Sequence, residues 1–109
     1  PSTRLQSNRP VGAGATITVN LDALANAPVV PSGATGAVLA ITAHNTTANS
    51  FFTVTASGGN STSTVNFGAG ETVTNHTTVA LNAGNIRVYN AFGSAQVDVD
   101  IEAYLYPPG

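Results

Sequence analysis

Apolar and polar residues along this chain recur with a period of two, not 3.6. T-I-T-V-N-L at residues 16–21 places Ile17, Val19 and Leu21 on one face. S-T-V-N-F at 63–67 turns Val65 and Phe67 inward, and N-I-R-V-Y-N at 85–90 does the same with Ile86 and Val88, leaving Arg87 and Tyr89 outward. Successive side chains of an extended chain leave opposite faces, so this alternation predicts half-buried strands. F-F-T-V-T-A at 51–56 is aromatic and β-branched, which also favours a strand. A-V-L-A-I-T-A at 37–43 is short and apolar on both faces, as a central strand requires. The run at 71–81 is long and is expected to bend near Asn75 and His76; the run at 95–105 is the longest.

Turn residues punctuate these runs: Pro31-Ser32-Gly33, residues 45–49, Ser57-Gly58-Gly59-Asn60, Gly68-Ala69-Gly70, Asn82-Ala83-Gly84 and Phe92-Gly93. Glycine supplies positive φ, and Asn and Ser bond to their own backbone. Strands at about ten-residue spacing predict an all-β fold, a two-layer antiparallel β-sandwich or jelly roll of seven to eight strands. The one helical candidate is residues 21–25, at most a turn before Pro28. Residues 1–14 alternate little and are expected to lie extended along the sandwich edge, pinned by Leu5 and Val11, with 15–109 forming a single sandwich domain. A chain of 109 residues is long enough for an apolar core without staples.

Composition narrows the function. Charged residues are 7% of the chain, against about 25% in an average domain. Lysine is absent and the cations are Arg4, Arg9 and Arg87, too few for the basic face that neutralises nucleic-acid phosphates or anionic lipid. No apolar run reaches the ~20 residues of a membrane-spanning helix, so no membrane insertion is expected. Cysteine is absent, which removes disulfides and thiolate metal sites and agrees with an exported bacterial or virion chain. The start at Pro1 suggests a processed product or a piece of something longer.

Several stretches together carry a family resemblance. They are Arg4-Leu5 to Arg9; Val30-Pro31-Ser32-Gly33-Ala34 through Ile41-Thr42-Ala43; Ser63-Thr64-Val65-Asn66-Phe67 with Gly70-Glu71-Thr72-Val73-Thr74-Asn75; and Val88-Tyr89-Asn90, Gly93, and Val97 through Asp100 to Tyr104. The sequence resembles a domain of about this length found, often in tandem, in secreted and surface proteins of actinobacteria and related bacteria. The resemblance implies a non-catalytic surface module. Two positions depart from the pattern: Ser7-Asn8 stands where the family carries an Asp, and Ala103 where it carries a Gly before the terminal Tyr. No role of that first Asp carries over.

The candidate chemistry is sparse. Asp98, Asp100 and Glu102, three of only five acids, alternate on one face of the last run, with same-face neighbours about 7 Å apart. Calcium needs about six to eight oxygens from a folded-back loop, which a straight strand cannot supply. Glycosidase carboxylates sit about 5–9.5 Å apart across a cleft, so spacing alone leaves that chemistry open. Such a row on an open face also discourages edge pairing. Asp100 is expected to form a structural ion pair with Arg4 or Arg9, tying the first segment to the last strand. His44 and His76 are too few for a zinc set. No G-x-S-x-G elbow or phosphate cradle is present. The sequons at Asn45, Asn60 and Asn75 mark turns. No catalytic residue, metal or cofactor is therefore assigned.

The sequence thus predicts an extracellular structural or interaction module, not an enzyme, a repeat unit or subunit of a surface protein, appendage or virion. Its partners would be copies of itself or a neighbouring domain. The alternative is a carbohydrate-binding module contacting a cell-surface glycan through Tyr89, Arg87, Tyr104, Asp98 and Glu102. Tyr104 is expected on the face of the acids.

Overall fold

The computed structural model describes residues 3–21, 32–57 and 62–107. Among these lie eight strands and no helix: β1 (Thr3–Val11), β2 (Thr16–Asn20), β3 (Gly36–His44), β4 (Ser50–Ala56), β5 (Thr62–Phe67), β6 (Val73–Ala80), β7 (Asn85–Asn90) and β8 (Ala95–Leu105). They form two antiparallel four-stranded sheets, in the orders β1-β8-β3-β6 and β2-β7-β4-β5. The first strand pairs with the last, the second with the seventh, the third with the sixth and the fourth with the fifth. That nesting is a single long hairpin rolled into two layers, the jelly roll.

Alternation drives the packing. Phe52, Val54, Val65 and Phe67 from one side of the second sheet meet Leu39, Ile41, Val97, Val99 and Ile101 from the first, all buried. Phe52 and Phe67 cross edge to face with centroids 5.1 Å apart. Each such buried side chain contributes about 1.5–3 kcal/mol against ordering the chain. β3, apolar on both faces, sits between β8 and β6 as its composition predicts.

Two local expectations, the bend in β6 and the face of Tyr104, are corrected, and the account of the first segment is made more specific. β6 pairs with β3 without a register shift through Asn75 and His76, so the bend expected there is absent. Residues 3–11 lie extended at the edge with Leu5 and Val11 on the core, and they form a full edge strand hydrogen-bonded to β8. Two register shifts, between Arg4 and Gln6 and between Gln6 and Arg9, each insert an extra β1 residue and erase the alternation that would have marked it. Tyr104 does not share the face of Asp98, Asp100 and Glu102. Leu39 pairs with Ile101 but Val38 pairs with Ala103, so a bulge inserts one residue into β8 and reverses the faces beyond it. Ala103 is exposed, and Tyr104, opposite buried Ala37, packs against the core. Most of the helical candidate at 21–25, and residues 58–60 of one expected turn, lie outside the described residues.

Candidate functional site

The acidic row faces outward from the first sheet, alongside β1. Register places Arg4 opposite Asp100. Its Nε donates to Asp100 Oδ1, while Nη1 lies 3.5 Å from Asp98 Oδ2. Asn8 turns into the left-handed region at φ 52°, and its backbone N–H donates to Asp98 Oδ1 at 2.7 Å. His44, on the other flank, places Nε2 at 3.1 Å from the same oxygen. An ionised carboxylate only accepts, so Nε2 carries the proton of this bond. Burial alone would push the Asp98 carboxyl up. The Asn8 amide, the His44 hydrogen bond and charge, and the Arg4 charge outweigh it and hold the group below its ordinary value. With side chains only 15% and 13% exposed, Asp98 and Asp100 are engaged in a clamp across the β1–β8 seam. Arg9 is directed elsewhere, donating to Gln6 Oε1 at 3.3 Å. Glu102, the bulge residue, is exposed.

The five residues of the glycan reading do not come together. Asp98 and Glu102 belong to the first sheet, with Tyr104 on its inner face. Arg87 and Tyr89 project from the outer face of the second, across the sandwich. There the cross-strand rows are Thr16–Tyr89–Thr53–Thr64 and Thr18–Arg87–Thr55–Thr62. Threonines thus flank one cation and one aromatic. The Phe51 ring adjoins Tyr89, with centroids 6.4 Å apart and planes tilted by 57°. Beside Arg87 opens a shallow cleft of about 300 Å³ lined by Thr55, Ala56, Ser57, Asn85 and Arg87.

Two polar anchors at the ends of the roll escape sequence reasoning. Asn90 is fully buried; its Nδ2 donates to the carbonyls of Val11 and Gly93, both at 3.0 Å, and its Oδ1 accepts from Ser50 Oγ at 2.7 Å. The available signal was position: Asn90 continues the inward parity of Ile86 and Val88. Gly93, at φ 61°, leaves no room for a side chain, since a Cβ would stand 2.7 Å from that of Ala48. Thr46 is buried and donates to the carbonyls of Gly68 and Glu71, joining the β3–β4 loop to the β5–β6 turn.

His76 is exposed on β6, away from the His44–Asp98 contact. Among the described residues, no three His, Asp or Glu side chains gather closely enough to hold a metal ion. No family model matches the chain, and no curated protein or solved structure does.

Proposed function

We propose that this domain is a non-catalytic structural or interaction module of an exported protein, at a cell surface or on a virion, that packs against copies of itself or a neighbouring domain. The observation supporting this is the state of the sheet edges. Exposed edges invite strand pairing, and proteins blunt them with bulges, proline and charge. β1 carries all three: two register shifts, Pro10, and Arg9 on the inward parity of its partner Val97. β2, β5 and β6 carry none, and each pairs with its neighbour in unbroken register. One edge is defended and three are left uncharged. A chain with only 7% charged residues also repels its copies weakly. The resemblance to tandem surface domains of actinobacteria points to the same kind of role and belongs to this proposal.

The test is sedimentation velocity over a concentration series, on the wild type and on a variant carrying Thr78→Lys and Asn66→Lys. Both positions are exposed, on β6 and β5. Concentration-dependent association of the wild type, lost in the lysine variant with its thermal stability kept, is the expected result. A wild type that stays monomeric and binds no neighbouring domain of its parent particle removes the reading.

A further inference from the structure

The outer face of the second sheet carries donors that meet no protein acceptor among the described residues. Arg87 is its one cation; among the described residues it has no carboxylate or other hydrogen-bond partner. The other two arginines are engaged, Arg4 with Asp98 and Asp100 and Arg9 with Gln6. Ser57, across the cleft, has the complementary peculiarity. Its Oγ accepts from the backbone N–H of Gly84 at 3.0 Å and of Asn85 at 3.1 Å. A hydroxyl has two acceptor positions and one proton. With both acceptor positions filled, Ser57 can offer only its O–H, and that proton finds no acceptor among the described residues. The cleft therefore presents a guanidinium fork, a hydroxyl fixed as a donor, and the neutral side chains of Thr55 and Asn85.

We propose that this cleft binds the carboxylate of an acidic sugar, with the sugar ring reaching toward Tyr89. A single guanidinium matches the planar, singly charged carboxylate in a two-point bond. A phosphate ester, with more charge, would meet only one cation here. Hydroxyl and amide neighbours suit a polyhydroxylated ligand. Tyr89 lies two residues along on the same face, about 7 Å away, a distance a pyranose carrying its carboxylate can span. It is 36% exposed and braced by Phe51, so its ring is both accessible and fixed. The volume of about 300 Å³ is at the low end of small-ligand sites and fits one sugar unit. Such binding needs no self-association, so a strictly monomeric domain would still show it.

The experiment is an NMR titration of the ¹⁵N-labelled domain with methyl β-glucuronide, methyl β-glucoside and acetate in parallel. Saturable shifts at the amides of Ser57, Asn85 and Arg87 with the glucuronide, at least tenfold weaker with the glucoside and with acetate, are expected. Arg87→Gln should abolish the preference for the glucuronide, and Arg87→Lys should lose most of it by removing the fork while keeping the charge. Tyr89→Ala should weaken the glucuronide severalfold without changing that preference. The unchanged remainder of each spectrum reports that the exposed substitution leaves the fold intact. No saturable shift with the glucuronide overturns the proposal. So does equal binding of the glucoside, which would make charge irrelevant, or equal binding of acetate, which would make the sugar irrelevant.

Discussion

Polar residues inside this sandwich differ sharply in how well they are satisfied, and that difference decides what each is worth. Asn90 is buried with both ends of its amide engaged, and it satisfies the buried carbonyl of Val11 and the partly buried carbonyl of Gly93. Asn90→Ala would strand those carbonyls and should cost about 2–4 kcal/mol, lowering Tm by roughly 10–20 °C in calorimetry. Ser63 is the contrasting case: its hydroxyl is buried and finds no partner among the described residues. Ser63→Ala should therefore be neutral or stabilising. A large loss at Ser63 with none at Asn90 would contradict this ranking. The apolar core was legible in sequence because Val19, Val65, Ile86 and Val88 occupy every second position. Asn90 was legible only as an inward position, because its partners are backbone carbonyls brought near by the fold, and a carbonyl has no sequence signature. Ser57 was hidden for a similar reason, since its lone pairs are filled by amides from a distant turn.

At the level of elements, bulges decided what could be read. A strand declares itself through strict alternation, and each extra residue shifts the phase. β1 has two such shifts, so its strand character vanished from the sequence, and one shift in β8 sent Tyr104 to the inner face. Side-chain ties reinforce the β1–β8 ladder, and Asp98 makes two of them, with the Asn8 amide and the Arg4 guanidinium, while its contact with His44 Nε2 ties β8 to β3 on the other flank. Its carboxyl is held below its ordinary value of 3.8. A group whose folded pKa is depressed contributes in full above its unfolded pKa and loses the contribution as pH falls through the lower folded value. Asp98→Asn should accordingly destabilise the domain at neutral pH, by about 1–3 kcal/mol. The gap between wild type and variant should hold down to 3.8 and close below it. Denaturant melts of the two proteins across that acid range measure the gap directly. A gap that widens on acidification would reverse the sign argued here.

For the molecule as a whole, topology sets the order in which contacts can form. In a jelly roll the innermost hairpin, β4–β5, is local, while the outermost pair joins the two ends of the described chain. Arg4 and Asp100 meet across a separation of 96 residues. Such closures are reached late because loop entropy opposes them until other contacts have shortened the effective loop. The main refolding phase, followed by tyrosine fluorescence in a stopped-flow instrument, should therefore fall in the millisecond-to-second range. Arg4→Gln removes a contact that forms after the rate-limiting step, so it should leave the folding rate unchanged and speed unfolding. A variant that instead slowed folding by the full change in stability would place the β1–β8 seam in the nucleus. The roll would then close from its ends inward, and the fixed edge that distinguishes β1 from β2, β5 and β6 would be the first edge made rather than the last.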